Sequence, residues 1–420
     1  MNNVKKFAAI GGFVALAACW PLAVGQFAQN TIQNGVAELN QDGVQVELVH
    51  YERGYLSSTA QTKIKVIDPL LKQQLQMDGL PTEFVLDHDI SHGLISISTD
   101  TKPVDYQTLP IDIHSVTYFN GSTALDLTSQ KMAFTFANDL NSKLEFSPAK
   151  LNAHITRSGE VEFNYQFDGF NGHFSSGESI LIDAASGSGH GEKKQGFWLG
   201  KQNLAMGEFN MIDAQGESMV NIHQFDYEFN TQENSADSTF SSHHKVTADS
   251  VNVSDETVSD LALDASFNNL DIAAFSQLLS VYQNKAQAPS AEDMKQAMNS
   301  VDALFAKGFN LSLNEMKASI REGKFNTDWK LDFPKTDKQV TKNPMQILSS
   351  VQGGANAFIS NEMVKQFPFI QPGLDDLMRQ GVMTQQAEGY YINGTIESGN
   401  VVFKGGKSMP LLMVIAPLFL

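Results

Sequence analysis

Thiols are almost missing from this 420-residue sequence: its single cysteine, Cys19, lies in an apolar N-terminal stretch. Residues 20–420 therefore hold no disulfide, no thiolate zinc site and no cysteine nucleophile. Positive charge is scarce as well, with 29 Lys and Arg against 47 Asp and Glu and a net charge of −18. Lys5 and Lys6 precede the apolar stretch, so the remainder carries 27 basic against 47 acidic side chains. That balance opposes long-range attraction to nucleic acid or to anionic lipid surfaces. Catalytic signatures are missing too: no GxSxG elbow, HExxH helix or dinucleotide fingerprint occurs. Gly405-Gly406-Lys407-Ser408 looks like the end of a phosphate loop, but Val401 stands where the first glycine belongs and Met409-Pro410 replaces the following helix. The expectation is a protein that is not an enzyme, with no catalytic residues, no metal and no cofactor. Its length allows a large core without covalent staples.

One long apolar run is present, FAAIGGFVALAACWPLAVG at Phe7–Gly25. As a helix it would span roughly 30 Å, the thickness of a bilayer's hydrocarbon core. Lys5 and Lys6 lie before it and no Lys or Arg follows until Arg53, so the positive-inside rule keeps the N-terminus cytoplasmic and exports the rest. The length argument favours a retained anchor over residues 1–25 and a juxtamembrane helix or stalk over 26–43. The competing reading is a lipoprotein signal, with Leu16-Ala17-Ala18-Cys19 as a lipobox and Cys19 lipidated. Against it, Trp20 and Pro21 are bulky where small or polar residues usually follow such a cysteine. Both readings place the bulk outside the inner membrane.

Beyond residue 43 the hydrophobic period is two. Val44, Val46 and Leu48 alternate with Gln45 and Glu47, and similar runs recur to Phe333, many divided by turns such as Asn120-Gly121, Ser158-Gly159 and Glu322-Gly323. Helical stripes cluster later: Ile272 to Tyr282, then Met294 to Phe305 behind a Ser290/Asp293 capping box, then Met345–Gln366 broken at Gly353-Gly354, and Gly373–Gln380. Ser186–Gly196, SGSGHGEKKQG, reads as a flexible connection. The predicted fold class is mainly β (α+β): a long curved antiparallel sheet with a few amphipathic helices on one face. It comprises a β-rich part over 44–190 and a second over 196–420 with helices after 270. The apolar tail Met409–Leu420, broken by Pro410 and Pro417, should be buried on the sheet or form a sticky partner surface.

Two histidine pairs are candidate ligand sites. In Asp87-His88-Asp89-Ile90-Ser91-His92 the imidazoles are four residues apart, which returns them to one face of a helix or a strand. The flanking apolar runs suggest instead a turn between strands, with solvent-facing Asp and His. His243-His244 lies in a polar strand, where neighbours point to opposite faces.

Tyr51-Glu52-Arg53-Gly54-Tyr55-Leu56-Ser57-Ser58 resembles the YxRGxxxS signature of the YdgA-like family of bacterial envelope proteins, which carry a domain of unknown function. His92-Gly93 sits where that family shows His-Gly-Pro, with Leu94 in place of the Pro. Gly389-Tyr390-Tyr391, Asn393-Gly394 and the Gly405-Gly406-Lys407 turn resemble its closing strands. The resemblance implies an inner-membrane anchor, a periplasmic body and members that self-associate. It supplies no catalytic residues, and Cys19 is outside the family pattern. Tyr51, Arg53, Gly54, Ser57, Ser58, His92, Gly93 and Gly394 are read as structural, with Arg53 held by an acidic or carbonyl partner at a bend. The functional expectation is an envelope protein acting through protein contacts or as a homodimer. The alternative is a module that holds a lipid or other apolar ligand on a Phe-rich sheet face.

Overall fold

The computed structural model describes residues 43–53, 57–93, 96–118, 120–136, 139–194, 197–254, 256–283, 290–337, 339–342 and 345–415. The anchor and stalk expected over 1–43 lie, but for Gly43, outside that set. Among the described residues no helix is long and apolar enough to cross a membrane. The protein is mainly β, with 22 strands in one long antiparallel sheet and few helices. It divides into two compact units, Met1–Gly191 with Leu204–Asn221, and Glu192–Asn203 with Ile222–Leu420.

The first unit begins with β1 (Val44–Arg53), β2 (Ser57–Val66), helix α1 (Pro69–Met77), β3 (Glu83–His92), β4 (Ser96–Pro103), β5 (Ile111–Tyr118) and β6 (Thr123–Ser129). Each of these strands pairs with the next. Then follow β7 (Met132–Phe136), β8 (Asp139–Phe146), β9 (Ala149–Ile155), β10 (Val161–His173) and β11 (Ser179–Lys194). Here β6 pairs with β9, β9 with the first half of β10, and β8 with its second half. Alternation decides what is inside: Ser58, Ala60, Thr62, Ile64 and Val66 are buried along β2 while the residues between them are not. Val46, Ile64 and Leu86 from β1–β3 share one core with Phe136, Leu144 and Phe170 from β7, β8 and β10. Asp68 caps α1 by accepting from Leu71 N at 2.7 Å, with Pro69 as its first helical residue.

Two expectations fail here. The glycine-rich stretch is no linker: β11 runs through it, with Gly187, Gly189 and Gly191 opposite Tyr165, Phe163 and Val161 of β10. Alternating Ser and Gly keep the period of two while leaving room beside the aromatic rings. Residues 87–92 are not a turn either, because β3 continues to His92.

The long strands β12 (Phe197–Ile212) and β13 (Ser218–Asn234) contribute to both units. In the second unit follow β14 (Thr239–Val253), β15 (Glu256–Asp271), helices α2 (Ile272–Gln283) and α3 (Ala291–Lys307), β16 (Phe309–Ile320) and β17 (Gly323–Phe333). Then come α4 (Met345–Leu348), β18 (Gln352–Ser360), α5 (Asn361–Gln366), α6 (Gln371–Arg379), β19 (Met383–Gln386), β20 (Gly389–Glu397), β21 (Asn400–Phe403), β22 (Ser408–Pro410) and α7 (Leu411–Ile415). The pairing runs β14–β15–β16–β17–β18–β20. The capping box of α3 is present in full, Ser290 Oγ accepting from Asp293 N at 3.1 Å while Ser290 N donates to the Asp293 carboxylate at 2.8 Å. The single helix expected over 345–366 is instead two short helices around β18. Gly353 faces Leu331 there, and a Cβ on it would collide with the Lys330 carbonyl oxygen, so this strand pairing requires glycine.

Candidate functional site

Three residues of the N-terminal motif come together by register. Tyr51 lies on β1, Ser58 on β2 and His92 at the end of β3. Tyr51 OH donates to Ser58 Oγ at 3.3 Å, and Ser58 Oγ lies 3.1 Å from His92 Nε2. Ser58 is buried and His92 half-buried. A hydroxyl beside an imidazole is the pairing that activates a nucleophile, but activation also needs a group that orients the ring's other nitrogen and room for a substrate. No acidic side chain hydrogen-bonds His92 among the described residues, and the trio satisfies the buried Ser58 hydroxyl from both sides. Of the other motif residues, Ser57 is exposed opposite Ser91, and Gly93 donates its N–H to Ser96 O at 2.8 Å. Arg53 is exposed at the end of β1, opposite Ser58, and its side chain makes no hydrogen bond or ion pair with another described residue. Gly54 lies outside the described residues. Gly394 is on β20 in the second unit, where a Cβ would sit 2.8 Å from Val401 Cγ1.

Sequence reasoning missed a second network one step further along the same face. His88 is buried, with Nε2 2.8 Å from Thr62 Oγ1 and Nδ1 2.7 Å from Thr101 Oγ1. One ring nitrogen donates and the other accepts, so both are satisfied only in the neutral imidazole. Burial pushes the His88 pKa down to about 4. Asp87 and Asp89 are exposed on the other face of β3, so the strand's alternation separates them from the imidazole a metal would need. Among the described residues no group of three His, Asp, Glu or Cys could hold a metal ion.

The second unit presents a different surface. Cross-strand partners share a face, and the register aligns Val246, Leu263 and Met316 in one row and Phe267, Leu311 and Leu331 in another. Between them lie Ala265, Leu313, Trp329 and Ala355. One end of this apolar face is roofed by helices: Phe305 of α3 packs edge-on against Phe309 and Phe333 at 4.9 and 5.4 Å. Toward the other end Val364 of α5 and Leu374 of α6 share a core with Ile359 and Tyr390. The described residues leave the window between uncovered, with Phe267, Leu263 and Met316 38%, 40% and 43% exposed in mid-sheet.

His244 borders this window. Its Nδ1 is 2.9 Å from Tyr227 OH and its Nε2 2.8 Å from Ser242 Oγ, and its ring lies 5.0 Å from Phe229 and 5.8 Å from Phe267. Burial, reinforced by the neighbouring His243, lowers its pKa. His243 turns the other way and meets Asp264 at 2.9 Å. The two neighbours thus face opposite sides of β14, as strand geometry requires.

Comparison with known families gives one match. The model of DUF945, described as bacterial protein of unknown function, covers residues 4–411. No curated protein matches the chain.

Proposed function

We propose that this chain, which belongs to the DUF945 family of bacterial proteins of unknown function, holds a lipid acyl chain on the apolar face of its second unit. The observation that carries the reading is the uncovered window at Phe267, Leu263 and Met316 between two helix-roofed ends. Large apolar side chains in mid-sheet are ordinarily buried, and a contiguous exposed set marks a binding surface. The size fits the occupant: from Leu263 to Phe267 along β15 is four residues, about 13 Å. One leaflet's share of a roughly 30 Å hydrocarbon core is about 15 Å. Register irregularities at Ser259/Ala262 and Leu313/Met316 add local twist, which favours a curved, groove-like face. The YdgA-like resemblance of the N-terminal motif adds an inner-membrane anchor over residues 1–25 and a periplasmic body, which would set the groove beside a lipid source.

A second reading, self-association in the cell envelope, is favoured by the exposed Leu412, Met413 and Val414 of α7. Native mass spectrometry of the full chain, released from membranes with bound molecules retained, separates the two. An added mass of a fatty acid or phospholipid, lost in Leu263→Glu, is the expected result. An apo dimer at every concentration would overturn the acyl-chain reading in favour of self-association.

A further inference from the structure

The polar side of the same second unit carries a cleft that the acyl-chain reading does not use. Two register irregularities coincide there: Ala265 pairs with Leu313 and Asp264 with Glu315, while Leu313 and Met316 oppose Trp329 and Thr327. Asn314 is thus the extra residue of a β-bulge, a device that kinks a strand and re-aims its side chains. The resulting concavity, ≈ 500 Å³, falls within the range of ligand clefts.

Its lining is mostly polar, and Leu313 and Trp329 of the apolar rows also border it. Asn268, Asn310 and Asn314 supply amides, Ser266 and Ser312 hydroxyls, and Asp328 and Lys330 one charge of each sign. Neighbours hold them in place. Asn314 Nδ2 donates to Asp264 Oδ1 at 2.6 Å and to Ser266 Oγ at 2.9 Å, while its Oδ1 accepts from Ser312 Oγ at 2.9 Å. Asn268 Nδ2 donates to Asn310 Oδ1 at 2.8 Å, and Asp328 Oδ2 accepts from Asn356 Nδ2 at 2.9 Å. Valences remain: both N–H groups of Asn310, the Asn268 oxygen and Asp328 Oδ1 make no hydrogen bond among the described residues. Amides can donate and accept at once, and so can the vicinal hydroxyls of a sugar. Lys330 is already paired with Asp332 at 3.1 Å, so the carboxylates of Asp264 and Asp328 leave the cleft rich in acceptors and unsuited to an anion.

We infer that this bulge cleft is a saccharide-binding site, in which Asn310 and Asp328 take paired hydroxyls of a neutral oligosaccharide. The test is saturation-transfer NMR on the full chain in a non-glycosidic detergent, with cellotetraose, maltotetraose and chitotetraose as probes. Transfer from at least one probe is expected, with an affinity reduced tenfold or more in Asn310→Asp, which keeps the shape and removes both donors. Asn152→Ala, on β9 of the first unit, should leave binding unchanged, and thermal melts confirm that both variants fold. Absence of transfer from all three probes, or transfer that survives Asn310→Asp, overturns the proposal. Asn310→Asp should leave the bound acyl mass in place and Leu263→Glu should leave saccharide transfer in place, so the failure of one site is distinguishable from the failure of the other although Leu313 and Trp329 border both.

Discussion

The two units use the same strand alternation and reach opposite ends. On β2 and β3 of the first unit the inward side chains are sealed: Ile64 and Leu86 are 1% exposed, and the polar His88 beside them is buried with both nitrogens bonded. On β15 and β16 of the second unit, Leu263, Phe267 and Met316 at the same spacing are left about two-fifths exposed. The difference is in what covers the sheet. Strands β7, β8 and β10 bring Phe136, Leu144 and Phe170 onto the first unit's face. Helices α2 and α3 roof the Phe240, Leu270 and Phe309 end of the second face and no more. A period of two reports which side chains share a face, and only the covering layer makes that face a core.

The sharpest break of this comparison is a truncation on the sealed face. Leu86→Ala should cost about 2–5 kcal/mol, the range for cavity-forming substitutions, read as a lower midpoint in urea unfolding. The buried histidine comes next. Its pKa falls from 6.5 to about 4 on folding, so the unfolded chain binds the extra proton between those values. The stability contributed by neutral His88 is therefore complete above pH 6.5 and lost as pH falls toward 4, a change of about 3 kcal/mol. Unfolding measured across that window should lose this slope in His88→Asn, and an unchanged slope would refute the assignment. Smaller again is Ser58→Ala, which strands the Tyr51 and His92 polar atoms for about 1–2 kcal/mol. Ser290→Ala should cost about 1 kcal/mol through the cap of α3, visible as a lower melting temperature.

Much of this was legible in residues. The alternation from Val44 to Phe333 marked the strands, and Ser290 with Asp293 marked the start of α3, because period and capping are local. The failures share a cause. Gly353-Gly354 reads as a break in a helix and SGSGHGEKKQG as a linker, since what glycine permits depends on the partner strand, and neither Lys330 nor Phe163 is near in sequence. His88 reads as a surface residue because the threonines that satisfy it are 26 and 13 positions away. Of the motif, Tyr51, Ser58 and His92 were found together, yet no spacing rule foretold that they touch. The open window was least visible, because burial by a covering layer is a tertiary fact that binary patterning cannot encode.

The smallest expected change in stability is also the most informative about the open face. Leu263 keeps 40% of its surface in solvent and sits opposite Met316, so Leu263→Ala forfeits only part of a transfer free energy and opens no closed cavity. Its cost should be about 1 kcal/mol or less, well under that of Leu86→Ala. If the window holds an acyl chain, the same substitution should weaken binding several-fold. Trp329, which faces Leu313 across the strand pair, offers the readout: its emission should shift to shorter wavelength as palmitate is added, and the titration should move to higher concentration in Leu263→Ala. A loss of several kcal/mol would mean that the face is sealed in solution and that the two units do not differ. Unchanged stability with an unchanged palmitate titration would place the acyl chain elsewhere, whereas a small stability loss with weakened binding separates core from binding surface within one pattern of alternation.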